Sequence, residues 1–240
     1  DEGLAFGVKF DPVRDRSIRS HYQQLTWTRE QPDDSAYRLN VYHQYYDHDD
    51  SYAPGISAFG YPPGTTLPLG LQVGTSQRYD IEFQHNLAPL DRWRLAWGIG
   101  GRYDKLESDL LLYGREDVSK TSGRVFGSAE WQPVDGLSIT LDALTEVYED
   151  YGNETSPRLG VNWMPTESRS FRANASRSHR VFTLLERYID YQLFASNGDP
   201  IDNNPPDGEA DTLVRSVLDD DARPEQVTAF EIGYTENWKE

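Results

Sequence analysis

The sequence predicts an all-β chain that forms part of an antiparallel, up-and-down transmembrane β-barrel, with about ten strands of a larger barrel. Three observations predict this fold. Apolar and polar residues alternate along about ten segments, which is the period of a β-strand with two different faces. Many of these segments run for about 9 to 13 residues, close to what a tilted membrane-spanning strand requires. The connections between them alternate between tight turns and long loops, an asymmetry typical of outer-membrane barrels.

The alternation is clearest in a predicted hairpin over residues 156–180. Leu159, Val161 and Trp163 share one face of its first strand, and we expect this face to contact lipid. Arg172 and Asn174 share the opposite, polar face, which we expect to line a watery lumen. The predicted strands span 3–10, 18–30, 36–48, 77–87, 92–105, 121–132, 137–149, 156–164, 169–179 and 224–238.

Every second connection is short and rich in Pro, Asp or Gly, as tight turns require. In an antiparallel meander every second connection lies at the same end, so the short turns are expected on the periplasmic side and the long loops on the extracellular side. The short connections are 30–36, 88–91, 133–136 and 165–168, and the long ones are 11–17, 49–76, 106–120, 150–155 and 181–223. Trp93, Trp131, Trp163 and Trp238 lie near the short turns, where an aromatic girdle is expected.

Composition excludes several classes of function. The net charge of −17 repels nucleic-acid phosphates, so no nucleic acid is expected as a partner. Cysteine is absent, which excludes disulfides and cysteine-based metal sites. The five histidines are scattered, and no hydrolase, metalloprotease or phosphate-loop motif is present. The sequence therefore predicts no catalytic residues, no resident metal, no cofactor and no enzyme activity.

Three pieces of the chain, in the same order and spacing, resemble motifs of the TonB-dependent outer-membrane receptors. The first is Ser-Pro-Arg at 156–158, followed by Trp163 and Pro165. The second is Ser-Arg-Ser-His-Arg at 176–180, followed by Thr183, Leu184 and Glu186, where His179 and Phe182 replace the family's usual aromatic residue and proline. The third is Pro-Glu at 224–225, followed by Glu231 and Gly233, with Arg223 as a departure before the proline. The positions that carry the resemblance are Pro157, Arg158, Arg177, Arg180, Glu186, Pro224, Glu225, Glu231 and Gly233.

The resemblance implies a function and a wider architecture. Such receptors have barrels of roughly 22 strands around a plug, so residues 1–240 are expected to be an internal part of the barrel domain. They take up scarce nutrients across the bacterial outer membrane, most often ferric siderophores, and are energised by the TonB complex. The expected partners are thus a ferric siderophore or similar small nutrient, outer-membrane lipid, and TonB through parts outside this chain.

Aromatic residues crowd the end of the second predicted strand and the loop that follows it. Loop aromatics and arginines can cradle a flat ligand, because rings bury a large area and still offer a polar edge. The candidate ligand-binding residues are Tyr46, His48, Tyr52, Phe59 and Tyr61, with Tyr113 and Arg115 in the next long loop. The alternative reading is that these tyrosines form the upper girdle and pack the loop on itself. For Arg172, Arg177 and Arg180, pairing with Glu146 or Glu186 across the wall is a plainer expectation than contact with an anion or ligand.

Two other functions remain compatible with the sequence. A passive outer-membrane porin shares the barrel but conducts without gating. A soluble β-sandwich could instead bind surface glycans through the tyrosine-rich loop.

Overall fold

The computed structural model describes residues 15–57, 60–70, 73–149, 152–201, 212–215 and 223–238. Within them, nine strands form one sheet in the order β1-β2-β3-β4-β5-β6-β7-β8-β11, and β9 pairs with β10 in the last loop. The elements are β1 (Ser17–Glu30), β2 (Ala36–Asp49), β3 (Val73–Leu90), β4 (Trp93–Glu107), β5 (Asp117–Val134), β6 (Leu137–Tyr148), β7 (Gly152–Thr166), β8 (Arg169–Arg180), α1 (Leu184–Tyr188), β9 (Asp190–Gln192), β10 (Thr212–Arg215) and β11 (Glu225–Glu236).

The sheet confirms the predicted all-β, up-and-down arrangement. Each strand pairs antiparallel with its neighbour in the chain, and β11 follows β8 because the last loop lies between them. Nine of the ten predicted strands are present, while the predicted strand at 3–10 lies outside the described residues. A sandwich would need two large sheets packed face to face, so that alternative is wrong. Across the described ranges, no helix has the length and apolar character needed to cross a membrane.

The connections sort by length as predicted, with one correction. One end of the sheet carries the turns 31–35, 91–92, 135–136 and 167–168, and the other carries 50–72, 108–116, 149–151 and 181–224. The connection predicted as a longer loop at 150–155 is wrong, because β7 already begins at Gly152, which pairs with Tyr148. Gly152 has φ of 82°, a conformation that favours glycine in a tight turn. Residues 153–155 are polar and gave no hydrophobic signal, although their backbone continues the β6–β7 ladder.

The register places the apolar side chains of neighbouring strands on one face. Leu159 of β7 lies opposite Leu141 of β6 and Ala175 of β8. The side chains of this face are not covered by other parts of the chain: Ile99 is 57% exposed and Ile232 is 92% exposed. A continuous apolar surface of this extent needs an apolar solvent, which agrees with a lipid-facing wall.

Aromatic residues of this apolar face contact one another beside the short turns. The rings of Trp93 and Trp131 stack with centroids 5.7 Å apart. Phe171 contacts Trp163 on one side, at 5.5 Å, and Tyr234 on the other, at 4.8 Å. Indole and phenol groups favour the lipid–water interface because one edge is polar, so these rings fit the predicted aromatic girdle at the end of the wall that carries the short turns.

The opposite face of the sheet is polar and carries an ion network across β3, β4 and β5. The Arg124 guanidinium donates to Asp80 through Nη1 and Nη2, at 2.9 and 2.7 Å. It also donates to Glu82 through Nε and Nη2, at 2.9 and 2.7 Å. Arg102 Nε donates to Asp80 from the other side, at 3.0 Å. Paired charges of this kind are expected on a wall that faces a watery lumen.

Glycines on this inner face make room for large side chains of the next strand. A Cβ on Gly98 would overlap the Phe126 ring, which lies directly opposite in β5. A Cβ on Gly100 would lie 2.9 Å from the Arg124 guanidinium. Gly101, on the outer face, meets no atom closer than 3.9 Å. The inner glycines therefore let neighbouring side chains lie flat across the strand.

We expect Gly98→Ala to destabilise the wall by about 1–3 kcal/mol, the usual range for overpacking. The new methyl group would overlap the Phe126 ring and lie 2.7 Å from the backbone oxygen of Phe83, which cannot move without breaking the ladder. The measurement is the temperature at which the purified barrel in detergent loses its folded migration on electrophoresis. Gly101→Ala is the matched control and should leave this temperature unchanged; equal losses in both variants would contradict the steric account.

Candidate functional site

The long loops at one end of the sheet pack together into one folded unit, which we call the loop cap (50–57, 60–70, 108–116 and 181–201). Its buried core comes from three separate loops: Ile56, Leu67, Leu69, Leu111, Tyr191 and Ala195. Burying such side chains away from water contributes about 1.5–3 kcal/mol each for the larger ones. Most of the fully buried apolar side chains of the described residues thus lie in the loop cap and not in the strands.

Tyr191 of β9 joins the last loop to the first. Its side chain is 0% exposed. Its hydroxyl donates to the Pro68 carbonyl at 3.2 Å and accepts from the Gly70 amide at 3.1 Å. Burial raises the pKa of the Tyr191 phenol to about 12, so the hydroxyl keeps its proton, and with it the bond to Pro68, throughout the physiological range.

Main-chain hydrogen bonds add further ties between the loops. Leu112 forms a parallel bridge with Asp190, and the Asp190 amide donates to the Leu111 carbonyl at 2.9 Å. The Ser196 amide donates to the Thr66 carbonyl at 2.8 Å, and the Thr66 amide donates to Ser196 Oγ at 3.1 Å. The last loop therefore crosses from β8 to the loops that follow β2 and β4.

The first residues of the last loop, 181–188, lie against the inner face of the wall, and we call them the crossing segment. Lys120 Nζ of β5 donates to the Phe182 carbonyl at 3.0 Å, and α1 contacts β4 and β5. α1 begins with a capping box, in which the Glu186 amide donates to Thr183 Oγ1 and the Thr183 amide donates to Glu186 Oε2. This reciprocal pair satisfies two amides that the helix itself cannot bond.

Three of the motif residues meet at the point where the crossing segment leaves the wall. Arg180, the last residue of β8, donates to Glu225 through Nε and Nη2, each at 3.0 Å. Its Nη1 donates to Glu186 at 3.0 Å. Of the pairings expected for Arg172, Arg177 and Arg180 with Glu146 or Glu186, that of Arg180 with Glu186 is present, and Glu225 joins it. The Thr183 amide, together with Arg180, holds the pKa of the Glu186 carboxyl below its usual range.

The remaining motif residues do not join this cluster. Pro157 and Arg158 lie in β7, and Arg177 lies in β8. Pro224 comes directly before β11, which contains Glu231 and Gly233. Gly233 lies opposite Arg172, whose side chain occupies the space that a Cβ would need.

The described candidate ligand-binding residues divide into two groups. Tyr46 and His48 lie on the inner face at the top of β2, with the Tyr46 hydroxyl 3.4 Å from His48 Nδ1. The other group belongs to the loop cap, where Tyr52 and Tyr61 pack against the buried core. Phe59 lies outside the described residues. A role in ligand binding stays a prediction for all of them.

Tyr113 and Arg115 lie on the open side of the loop cap. The Tyr113 ring stacks on Phe194 at 5.1 Å and remains 46% exposed. The Arg115 guanidinium lies over the Tyr188 ring at 5.1 Å. Together they present an aromatic surface with a cation beside it, of the kind that can contact a flat, polar-edged ligand.

Sequence reasoning missed Tyr191, Lys120 and the Asp80–Arg102–Arg124 network. Tyr191 had no local signal, because its partners lie more than 120 positions away. The ion network did have a local signal in the sequence. Asp80 and Glu82 are two positions apart in β3 and so share one face, and basic residues occupy the inner face of the next two strands. To predict the network, the pairing register of β3, β4 and β5 would have been needed, because the register determines which charged residues lie side by side.

The family described as "TonB dependent receptor-like, beta-barrel" matches residues 4–240, which is nearly the whole chain. No curated protein matches the sequence.

We expect Tyr191→Phe to loosen the loop cap without unfolding the wall. The change removes the bond to the Pro68 carbonyl and leaves the buried Gly70 amide without its acceptor, at a cost of about 1–3 kcal/mol. The measurement is amide hydrogen exchange over 62–70 and 190–196, which should become faster. Tyr113→Phe is the control, because that tyrosine contributes its ring to the Phe194 stack and no described residue bonds its hydroxyl; faster exchange in this variant as well would count against the hydrogen-bond explanation.

A second expectation concerns acid. Because the folded pKa of Glu186 is lowered, its ionised form stabilises α1 above its unfolded pKa of about 4.3, and this contribution is lost as the pH falls through the folded value. Amide exchange over 183–189, corrected for its intrinsic pH dependence, should therefore increase below about pH 4. Glu186→Gln can keep the capping contact but carries no charge, so its corrected exchange should vary less with pH; an unchanged pH profile in that variant would refute the assignment.

Proposed function

The chain belongs to the TonB-dependent receptor-like β-barrel family, and on that premise we propose that it forms the wall and the extracellular loop cap of an importer of ferric siderophores. Receptors of this family are transporters of the bacterial outer membrane, not enzymes, and they take up small substrates in interaction with TonB. The choice of a ferric siderophore as the cargo is our proposal.

The observation that carries the proposal is the loop cap, which forms one folded unit over the inner face of the wall. A ligand that arrives from outside would meet its exposed aromatic and cationic groups first. Tyr113 and Arg115 offer such a surface, while Tyr52 and Tyr61 support it from the core. Tyr46, half-buried on the inner face below, would contact the cargo after it passes the cap, and the buried His48 would position the Tyr46 hydroxyl.

Iron uptake by cells tests the proposal directly. Cells that carry the intact receptor as their only route for chelated iron should accumulate radioactive iron from at least one ferric siderophore under iron limitation. Removal of TonB, or dissipation of the proton gradient, should abolish this uptake. Cells that take up no ferric chelate would show that the cargo is not a siderophore.

Planar-bilayer recordings address the porin alternative. A receptor whose lumen is closed until it is energised should show no steady conductance when it is inserted alone. An open, ungated conductance would favour a passive porin. In that case uptake would also persist without TonB.

A further inference from the structure

A cavity of about 380 Å³ lies between the crossing segment and the inner face of the wall. Its volume is within the range of about 300–1,000 Å³ that is usual for sites that bind small molecules. Residues 181–185 form one side, and β3, β4, β5 and the end of β6 form the other. The cavity therefore lies beneath the loop cap, on the inward path of a cargo.

The wall side of the cavity is rich in cations. Among the described lining residues Arg78, Arg102 and Lys120 are basic, and Asp104 alone is acidic. These four residues sum formally to +2, in a chain whose net charge is −17. Asp80, which pairs with Arg102 from outside the lining, reduces this sum by one, but the lining itself stays positive in an acidic chain, and a negatively charged group is the ligand that it favours.

The two arginines are held in position by bonds that leave their ends available. Arg78 donates through Nε to Asp104 Oδ1 at 2.6 Å, and Arg102 donates through Nε to Asp80 Oδ2 at 3.0 Å. In the part of the chain that the structure describes, no group accepts from Nη1 or Nη2 of either residue. A guanidinium fixed at Nε presents its terminal N–H groups as a rigid fork, the geometry that binds a carboxylate through two hydrogen bonds.

The facing side of the cavity is apolar. Leu184 and Leu185 of α1 line it and are half-buried, and Leu106 of β4 adds to this surface. Hydroxyl groups of Ser76 and Ser122 lie on the wall side. A ligand that fits this arrangement carries carboxylates on one side and carbon skeleton on the other.

We propose that this cavity binds the carboxylate groups of the cargo through Arg78 and Arg102, so that the receptor selects ferric chelates of the carboxylate class over neutral hydroxamate chelates. The inference rests on the proposed function and specifies its substrate class. Lys120, beside the two arginines, adds to the positive field that attracts the ligand. Neither arginine was among the residues that the sequence suggested for binding.

Uptake of two probes by cells with the intact receptor tests this selection. The probes are ferric citrate, which is anionic and bound through carboxylates, and ferrichrome, a neutral trihydroxamate. We expect saturable, TonB-dependent uptake of ferric citrate and little uptake of ferrichrome. TonB-dependent uptake of ferrichrome alone would overturn the inference and leave siderophore import standing. Uptake of neither probe would also overturn the inference, and siderophore import would fail with it only if no other ferric chelate were taken up.

Variants of Arg78 then assign the selection to the cavity. Arg78→Gln should raise the half-saturating concentration of ferric citrate about 10-fold, the effect of losing one charge-assisted hydrogen-bonded contact. Arg78→Lys keeps a charge beside Asp104 but loses the fork, so we expect a smaller rise of about 3-fold. Receptor levels and folded migration on electrophoresis should match those of the wild type.

Arg94→Gln is the matched control. Arg94 is also an arginine on the inner face of β4, but it lies outside the cavity in a loose 3.8 Å ion pair with Glu130. Its replacement should leave uptake of ferric citrate unchanged. An equal rise in the Arg94 and Arg78 variants, or none in the two Arg78 variants at normal receptor levels, would overturn the assignment.

Discussion

Main-chain hydrogen bonding between strands is the constraint on which the rest of this structure depends. A wall inside lipid has no water to satisfy its amides and carbonyls, and each unsatisfied group costs several kcal/mol. The nine strands meet this requirement by pairing almost without interruption, from β1 next to β2 to β8 next to β11. Pairing also fixes the faces, because a slip of one residue would turn Ile99 toward the lumen and Arg102 toward lipid.

A wall made of a single β-sheet has no second layer to pack against and therefore has no conventional hydrophobic core. This explains why most buried apolar residues lie in the loop cap and not in the strands. One face of each strand meets lipid and the other meets the lumen, so strand side chains pack sideways against the neighbouring strand, as Phe126 does over Gly98. The long loops at one end of the sheet extend beyond the wall and can bury apolar groups among themselves, as Tyr191 and Leu111 do. The wall and the loop cap therefore rely on different forces. The loop cap can loosen while the ladder of the wall remains intact.

The strands and the tight turns could be predicted from the sequence, because strands follow from the two-residue alternation of apolar and polar side chains and tight turns from their Pro, Asp and Gly content. Leu95, Trp97 and Ile99 alternate with smaller or polar neighbours, and the Asp-Gly turn at 135–136 joins β5 to β6. Residues 153–155 were missed because their side chains are polar, although their backbone pairs in the same way. The loop cap was missed for another reason: contacts such as that of Ser196 with Thr66 join distant segments and leave no local pattern.

For the motif residues, too, the sequence shows their order along the chain but not their contacts. Arg180, Glu186 and Glu225 stand out in the sequence by their order, but only the fold shows that one guanidinium bonds both carboxylates.

The paired charges of the inner face also explain how Arg78 and Arg102 can be held in position by carboxylates and still offer N–H groups to a ligand. Placing a guanidinium against a partly enclosed wall costs desolvation energy, and a nearby carboxylate offsets that cost only when the geometry is good. Asp80 and Asp104, with side chains 10% and 15% exposed, provide such partners to Arg102 and Arg78. Each bond uses Nε alone, so the side chain loses its conformational freedom before any ligand arrives, and the ordering cost of binding falls accordingly. An acidic protein can therefore maintain a cationic surface inside its wall, because the acidic residues themselves hold the arginines in place.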